Sequence, residues 1–375
     1  MNKTNGARSE LAVVLATTAV ERGGVWKHML DLGEALRARG DAVVMAVPPE
    51  ATAQRDEAQD RDFPCTDLRG SLDRAADVWH LHLPKPFDRR TLPLLSAARL
   101  RGRRAFVTEH LARHPSSDPA LPWEPHIKPG RRKPGAYTAK TMIKKAESRA
   151  ANHVITVSQS SRDFLVNRFG LSSRRCSSVV NGVAAGPFVP LPSFDHGLKV
   201  IAIGTAGTRK GHDLIIDAAL RSRGRWTVDV FGAGSELVEM RRRAEATAGR
   251  VVFHGWTDQT ARHIEQHHLM CMPSRYEPLG YAAVEAMALG RPVIAAAVDG
   301  LTEVVQDGST GRLVPPGDAE ELATALDHAA AHPEVVASWA AAAHQRARTR
   351  FDVTDMADSI RKIYTGNRYA EDDHR

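Results

Sequence analysis

Short apolar runs alternate with amphipathic segments along most of this chain. The first run, LAVVLATT at residues 11–18, is followed by a glycine-containing turn and then by VWKHMLDLGEALRARG at residues 25–40. In the second segment the apolar residues recur at helical spacing. Buried strands that alternate with amphipathic helices are typical of parallel sheets that are covered by helices on both faces. The pattern therefore predicts an α/β fold.

The alternation stops near residues 184–197 and then begins again. This stretch, AAGPFVPLPSFDHG, contains three prolines within residues 187–192 and reads as a linker. A chain of 375 residues also exceeds what one core usually supports, which favours two domains. We predict an N-terminal domain over residues 1–187, a C-terminal domain over 188–349, a last helix over 350–366 and a flexible tail over 367–375.

Two segments call for a separate prediction. Residues 111–135 are rich in proline and polar groups, and a loop of this length within a compact domain is often functional. The first apolar run is too short for a membrane span and is followed by a turn and a helix, so we interpret it as a strand and not as a signal peptide. No stretch of about 18 consecutive apolar residues occurs, and no transmembrane helix is predicted.

The chain is basic, with a formal net charge of +7 and a pI near 9.5. This charge is compatible with an anionic partner, but the arginines are scattered and no nucleic-acid-binding motif accompanies them. We therefore expect no nucleic-acid partner. The three cysteines, Cys65, Cys176 and Cys271, are far apart, which argues against disulfides or a zinc site and fits a cytoplasmic protein.

Glycines and cations at the predicted strand ends suggest phosphate binding. Gly23 and Gly24 lie between the first strand and the first helix, where they serve either as a phosphate cradle or as a tight turn. In the second domain, GTAGTRKG at residues 204–211 places Arg209 and Lys210 between a strand and a helix. Cations are mildly unfavourable at a helix start, so a ligand-binding role is favoured for this pair.

Histidines and one acid mark the strand ends of the first domain. His80 and His82 alternate in one predicted strand and so share one of its faces, while Glu109 and His110 end the next strand. These residues could line an acceptor pocket or simply be packed in the core. His110 is the preferred functional candidate of the three histidines, and no metal site is predicted because no third ligand with supporting geometry can be identified.

The stretch SRYEPLGYAAVEAMALGRPVIAAAVDG at residues 274–300 contains two acids separated by seven residues. Glu277 precedes a predicted helix, and Glu285 lies about a turn and a half inside it. The small apolar neighbours of Glu285 predict partial burial, which costs free energy unless a partner is present. Backbone N–H groups of residues 279–281 stay free at the helix start, so this region suits a ligand with hydroxyl groups and a phosphate.

This stretch closely resembles the donor-site signature of the family 4 glycosyltransferases, with its E-x7-E pair. Other segments agree with the family in order: RGGVWKHMLDLGEALRARG, HVITVSQSSRDFL, VVNGV and KGHDLIIDAA. The resemblance covers about residues 10–365. It implies a GT-B fold, in which two Rossmann-like domains face a cleft and the last helix returns to the first domain. It also implies retaining sugar transfer from a nucleotide sugar, with no cofactor and no essential metal.

The resemblance also implies roles for individual residues. Glu285 would bind the ribose and Glu277 a hydroxyl group of the donor sugar, while His110 would line the sugar pocket. The diphosphate would be bound by the remaining donor-site residues, which are Lys210, Gly23, Gly24 and the backbone N–H groups of Pro278, Leu279, Gly280 and Tyr281. Thr205 stands where the family has an arginine, and we expect Arg209 to supply the second cation.

The expected activity is that of a hexosyl- or N-acetylhexosaminyltransferase that uses a UDP-sugar, a GDP-sugar or an ADP-sugar. The acceptor would be a small molecule such as a sugar, an aminocyclitol or another natural-product intermediate, with His80, His82 and Glu109 as candidate acceptor-side residues. The alternatives are a nucleotide-sugar epimerase and a transferase that acts on a lipid-linked acceptor. The basic run at residues 131–149 would serve the second alternative by contacting a membrane surface. No oligomeric state is indicated.

Overall fold

The structure is a computed structural model that describes residues 10–113 and 136–366. Residues 114–135 of the predicted long loop lie outside this part, and so does the predicted tail at 367–375. Within the described part of the chain, no helix is both long enough and apolar enough to cross a membrane.

The first domain is built on a parallel sheet of seven strands. Its elements are β1 (Ala12–Thr17), α1 (Gly24–Arg37), β2 (Ala42–Ala46), α2 (Thr52–Asp60), β3 (Cys65–Thr66), α3 (Leu68–Asp73), β4 (Val78–Leu83), α4 (Thr91–Leu100), β5 (Arg104–Glu109), α5 (Ala136–Ala150), β6 (His153–Thr156), α6 (Gln159–Phe169) and β7 (Cys176–Ser178). The strand order is β3-β2-β1-β4-β5-β6-β7. The α/β prediction is confirmed for this half of the chain.

The second domain is built on a parallel sheet of six strands. Its elements are β8 (Leu198–Ile203), α7 (His212–Arg221), β9 (Trp226–Phe231), α8 (Leu237–Ala244), β10 (Val251–Gly255), α9 (Thr260–Glu265), β11 (Leu269–Met272), α10 (Tyr281–Ala288), β12 (Val293–Ala296), α11 (Leu301–Val304), β13 (Gly311–Val314), α12 (Ala319–Ala331) and α13 (Pro333–Arg350). The strand order is β10-β9-β8-β11-β12-β13. The last helix, α14 (Val353–Thr365), follows.

Five elements were not predicted from the sequence, namely α2, β3, α3, α11 and α13. The segment that forms α2, TAQRDEAQD, is largely polar and carries no clear apolar stripe, and β3 has only two residues. Helix α13 begins at Pro333, directly after α12 ends at Ala331. Proline is well accommodated in the first turn of a helix, so it begins a new helix here and does not end the structure.

Each sheet reverses its winding direction next to its first strand. Strand β1 lies between β2 and β4, and strand β8 lies between β9 and β11. In open parallel sheets, ligands bind beyond the carboxyl ends of the strands at such a reversal. The segments that follow β1 and β4 in one domain, and β8 and β11 in the other, are therefore where a functional site is expected.

Helix α14 returns to the first domain, as predicted. Met356, Ile360 and Tyr364 are buried in the same apolar cluster as Leu15 and Leu30 of the first domain. The chain also pairs with itself where it crosses between the domains. Val183 donates its N–H to the carbonyl of Phe351 at 2.8 Å and accepts one from Val353 at 3.3 Å. The two segments that connect the domains, near Val183 and near residues 351–353, are thus hydrogen-bonded to each other.

Replacement of Ile360 by alanine tests whether α14 is part of the first domain's core. Ile360 is almost fully buried, so its truncation should lower the free energy of unfolding of that domain by about 2–5 kcal/mol. The neighbouring exposed residue provides the control, since Lys362→Ala should change stability by less than about 0.5 kcal/mol. Urea denaturation followed by tryptophan fluorescence measures both. Equal stability of the two variants would contradict the packing of α14.

Candidate functional site

Lys210 and Glu277 meet at the carboxyl ends of two adjacent strands. Lys210 follows β8 and Glu277 follows β11, and these strands are paired in the sheet. The Lys210 Nζ lies 2.5 Å from Oε2 of Glu277, and both side chains are largely buried. The sequence identified both residues as separate candidates, and the fold makes them an ion pair.

Two glycines allow this approach. At Gly204 the backbone φ is +148°, and a Cβ there would lie 2.9 Å from Cε of Lys210. At Gly211 φ is +71°, and a Cβ would collide with the carbonyl oxygen of Pro273. A larger residue at either position would be strained in this conformation and would also displace the lysine or the strand end.

The immediate surroundings keep Glu277 ionised. Burial opposes its charged form, but the charges of Lys210 and Arg209 outweigh burial and hold the pKa of this carboxyl below its usual value. Burial lowers the pKa of Lys210, and Glu277 offsets only part of this effect. The Arg209 guanidinium lies 3.9 Å from Glu277 and stacks over Tyr276 at 5.6 Å. Two cations therefore converge on one carboxylate.

Thr205 takes a more peripheral position than Arg209. Its side chain is exposed, and its methyl carbon lies close to the backbone of Gly234. Arg209, in contrast, stands beside Lys210 and Glu277. The position of Arg209 is thus compatible with the prediction that it supplies a second cation.

Helix α10 directs its N-terminus toward the same place. The backbone N–H groups of Leu279, Gly280 and Tyr281 have no acceptor among the described residues. Free N–H groups and the positive end of the helix dipole favour an anion there. One correction applies to the predicted set of donors: Pro278 has no backbone N–H, so the donors begin at Leu279.

Glu285 is half-buried one turn further along α10, as its apolar neighbours predicted. Burial raises the pKa of Glu285 to about 7, Asp31 contributes in the same direction, and Lys27 acts against both. Lys27 and Asp31 belong to α1 in the other domain. Glu285 thus faces charged groups from across the cleft.

One glycine of the first domain's pair, Gly24, lies near the start of α10. A Cβ placed on Gly24 would lie 4.0 Å from Cβ of Tyr281, whereas nothing would lie within 4 Å of one on Gly23. Gly24 is therefore brought next to the start of α10 in the opposite domain, whereas Gly23 precedes it in open space. The structure assembles this part of the predicted site from both halves of the chain.

Other contacts across the cleft involve residues that the sequence did not single out. Asp299 forms an ion pair with Arg113 and also accepts the backbone N–H of Glu277 at 3.2 Å. Glu303 accepts the N–H groups of Gln159 and Ser160, both at 2.9 Å, at the start of α6. The only sequence signal for these acids was their position just after the E-x7-E segment.

His80 does not reach the cleft, which corrects its assignment as an acceptor-side candidate. Its ring is fully buried, with Nδ1 2.6 Å from the hydroxyl of Tyr364 and Nε2 2.7 Å from Oγ1 of Thr108. Both ring nitrogens are occupied by these contacts. His80 therefore connects α14 to the sheet and has no group left for an acceptor.

Glu109, another acceptor-side candidate, is also buried in the first domain. Its carboxylate is buried and lies 2.6 Å from Nζ of Lys144 on α5, which in turn lies 2.7 Å from Glu147. Burial raises the pKa of Glu109 and raises the pKa of Glu147 to about 7, although Lys144 acts against both. This buried triad fixes α5 to the end of β5.

His82 and His110 pack together with His28 of α1, which the sequence did not indicate. His82 Nδ1 lies 3.2 Å from His110 Nε2, and one nitrogen of each ring lies within 4.8 Å of the others. Burial lowers the pKa of His28 to about 3, with Asn181 acting weakly against it, and holds the pKa values of His82 and His110 well below the usual value. The three rings are therefore uncharged at neutral pH.

The histidine cluster lacks the supporting contacts of a typical metal site. Ligating histidines usually donate their second ring N–H to a carboxylate or a carbonyl. Both nitrogens of His28 and Nε2 of His82 have no hydrogen-bond partner of good geometry in the described part of the chain. His110 is the member of the cluster with the most exposed surface, at 9%. It is the one best placed to contact a ligand in the cleft.

Two family profiles match this chain. One, described as Glycosyltransferase Family 4, matches residues 22–185, and the other, described as Glycosyl transferases group 1, matches residues 197–332. The gap between them falls on the predicted linker. Together the matched segments cover most of both domains and include Arg209, Lys210, Glu277 and the start of α10.

Curated relatives share part of the sequence. Glycogen synthase of Mycobacterium tuberculosis is 28% identical over 234 residues, which are 60% of this chain and 56% of that protein. D-inositol 3-phosphate glycosyltransferase of Geodermatophilus obscurus is 30% identical over 226 residues, or 54% of this chain and 49% of the relative. The matched part thus spans about half the length of these relatives.

Solved structures share the fold over almost the whole chain. The Anabaena protein HepE in complex with UDP-glucose has a TM-score of 0.79 at 19% identity, and the match covers 95% of this chain and 100% of HepE. Sucrose-phosphate synthase of Thermosynechococcus elongatus has a TM-score of 0.72 at 21% identity, with coverage of 95% and 98%. The two-domain arrangement predicted from the sequence is therefore confirmed as the GT-B fold.

Replacement of Lys144 by methionine tests the buried triad. Methionine keeps the volume of the side chain but leaves Glu109 and Glu147 without a cation, so stability at pH 8 should fall by about 3–5 kcal/mol. The loss should be smaller at pH 6, because carboxyls with raised pKa values become protonated there and no longer need the lysine. Lys145→Met is the matched control. Urea denaturation at both pH values measures the effect, and a loss independent of pH would contradict the role of charge.

Proposed function

Because this chain belongs to the family 4 glycosyltransferases, we propose that it transfers a sugar from a nucleotide sugar to a hydroxyl group of a small-molecule acceptor. One observation carries this proposal. Lys210, Arg209 and the free N–H groups at the start of α10 converge beside Glu277 in the cleft between the domains. This arrangement provides positive charge for a diphosphate and a carboxylate for sugar hydroxyls next to it.

The donor is proposed to be a UDP-sugar. The structure of HepE, which has the same fold, contains UDP-glucose, and this supports a uridine nucleotide. Glu285 would accept hydrogen bonds from the ribose hydroxyls, and Glu277 would bind a hydroxyl group of the sugar. The sugar itself, whether a hexose or an N-acetylhexosamine, would be selected by the side chains around Glu277 and His110.

Catalysis would depend on charge stabilisation at the leaving group. Cleavage of the bond between the sugar and the diphosphate transfers negative charge to the phosphate oxygens. Lys210, Arg209 and the N–H groups of α10 would bind that developing charge more strongly than the ground state. These groups supply the positive charge from the protein itself, so the proposed reaction requires no metal ion.

Transfer is proposed to retain the configuration at the reacting carbon. Glu277 is engaged by Lys210 at 2.5 Å and is assigned to sugar binding, so no carboxylate is assigned as a covalent nucleophile. The acceptor hydroxyl would then attack from the face that the diphosphate leaves, and a phosphate oxygen would take its proton. Closure of the cleft would exclude water and limit hydrolysis of the donor.

The acceptor is proposed to bind on the side of the cleft formed by the first domain. His110 is the candidate residue there, because His80 and Glu109 are occupied by buried partners. The uncharged state of the histidine cluster favours an acceptor that is recognised through hydroxyl groups. A sugar, an aminocyclitol or a related intermediate meets this requirement.

A lipid-linked acceptor is a second candidate, supported by the surface of α5. Met142 and Ile143 expose 67% and 47% of their surface between Lys140 and Lys145. Apolar side chains flanked by cations are typical of segments that contact an anionic membrane. Co-sedimentation with anionic vesicles that is lost in the Met142→Ser, Ile143→Ser variant would favour this candidate over a soluble acceptor.

The two acids can be separated by their ligands. Glu285→Ala should weaken binding of free UDP by about 10–100-fold, because a charge-assisted hydrogen bond contributes roughly 1.5–3 kcal/mol. Glu277→Ala should leave UDP binding within about threefold and weaken binding of intact UDP-glucose or another UDP-sugar. Calorimetric titration measures both ligands. Normal donor binding in both variants, with loss of turnover only, would instead indicate an acid–base pair.

The two cations are distinguished in the same way. Lys210→Ala should lower turnover by about 10²–10³-fold, as loss of a preorganised charge at a leaving group does. Arg209→Ala should weaken binding of the donor. Arg221→Ala removes an arginine at the exposed end of α7 and is the control, which should leave donor binding unchanged. Unchanged donor affinity in Arg209→Ala would refute its role as the second cation.

Formation of a new sugar nucleotide without any acceptor would favour an epimerase over a glycosyltransferase.

A further inference from the structure

One face of α1 lies opposite one face of α10 across the cleft. Gly24, Lys27 and Asp31 share a face of α1 at spacings of three and four residues, and Tyr281 and Glu285 are four residues apart on α10. Gly24 and Tyr281 lie close enough that a Cβ on Gly24 would touch Tyr281, so these faces meet at their first turns. Side chains from two domains therefore surround the carboxylate of Glu285.

The facing residues form a polar chain. Tyr281 donates its hydroxyl hydrogen to Asp31 and lies 3.4 Å from the carbonyl of Gly182 in the first domain. Asp31 also accepts a hydrogen bond from Nζ of Lys27 at 2.5 Å. Asp31 exposes only 8% of its surface, so the hydrogen-bonded group formed by Lys27, Asp31 and Tyr281 is shielded from solvent at its centre.

Glu285 is the member of this group that lacks a partner. No ion pair or side-chain hydrogen bond joins its carboxylate to another described residue, although it is half-buried and close to Lys27 and Asp31. A carboxylate in such a place can accept two hydrogen bonds from a vicinal diol. The ribose of a nucleotide provides such a diol.

We propose that Lys27 and Asp31 are positioning residues that complete the ribose end of the donor site from the opposite domain, with Tyr281 fixing Asp31. This inference rests on the proposed function, in which Glu285 binds the nucleotide. In it, Lys27 holds Glu285 as a carboxylate ready to accept the ribose hydroxyls. Asp31 orients Lys27, and Tyr281 couples Asp31 to the helix that carries Glu285.

The arrangement makes nucleotide binding depend on closure of the cleft. In an open cleft Glu285 would have no cation nearby, since Lys27 is contributed by the first domain. Closure brings Lys27 to Glu285 and Asp31 to Tyr281 in one movement. A ligand that binds the closed form more tightly then shifts the domains toward it, by as much as its affinities for the two forms differ.

The pH dependence of UDP binding tests this inference. If Lys27 and Asp31 only stabilised the fold, their replacement would not shift the pH midpoint of UDP binding. Glu285 binds better as a carboxylate, so binding should strengthen as the pH rises through about 7. Lys27 lowers the pKa of Glu285 and Asp31 raises it, while Tyr281 is the other titratable group that faces it. Loss of Lys27 and loss of Asp31 should therefore shift the midpoint in opposite directions.

The test is calorimetric titration of the full chain with UDP between pH 5.5 and 8.5. Lys27→Met should move the midpoint to higher pH, and a shift of about one pKa unit would weaken binding at pH 7 by about fivefold. Asp31→Asn should move the midpoint to lower pH. Glu285→Gln should abolish this midpoint and leave only the titration of the UDP phosphate, which serves as the baseline. Lys362→Met on α14 is the control for loss of a surface lysine.

The two proposals fail in different ways. If Glu285→Gln changes the pH profile and neither Lys27→Met nor Asp31→Asn shifts the midpoint, this inference is overturned while the donor site stands. If wild-type protein does not bind UDP, or if Glu285→Gln binds it as wild type does, the assignment of Glu285 to the nucleotide is overturned. Tyr281→Phe keeps the ring in place and should weaken UDP binding less than Lys27→Met; an equal or greater loss would contradict the central role of Lys27. Circular dichroism confirms that each variant is folded.

Discussion

The ion pair between Lys210 and Glu277 is the interaction on which the rest of the cleft depends. Charges that are withdrawn from water must be paired, so the two strand ends that carry these residues have to meet closely. Gly204 and Gly211 remove the side chains that would prevent this approach, and Asp299 fixes the backbone of Glu277. A phosphate that approaches Lys210 in this setting necessarily lies beside Glu277, which is why the two binding functions are proposed for adjacent groups.

The second constraint is that the proposed donor site is divided between the two domains. The donor-side cations and acids lie in the second domain, but Gly24, Lys27 and Asp31 come from the first. Helix α14 and the pairing of Val183 with residues 351–353 hold the two halves together at one edge of the cleft. The two halves are therefore joined at this edge, and the faces of α1 and α10 meet across the cleft.

Much of this could be predicted from sequence, because the relevant signals are local. The apolar periodicity identified most strands and helices, and the linker was predicted from its prolines. Glu277, Lys210 and the start of α10 were recognised as candidates from their positions relative to predicted strands and from a family resemblance. Helices α2 and α3 were missed because their segments have weak apolar stripes, and α13 because it follows α12 with almost no break.

What the sequence alone determined is which residues stand at the ends of strands and the starts of helices. Which of these side chains touch was decided only by the tertiary structure. His80 and Glu109 occupy strand ends as predicted, yet Tyr364 and Lys144 use their polar groups inside the domain. Tyr281 and Asp31 are 250 residues apart in the chain and still share a hydrogen bond. Periodicity reports the environment of one segment, whereas such contacts depend on how two sheets and their helices pack, and no local pattern contains that information.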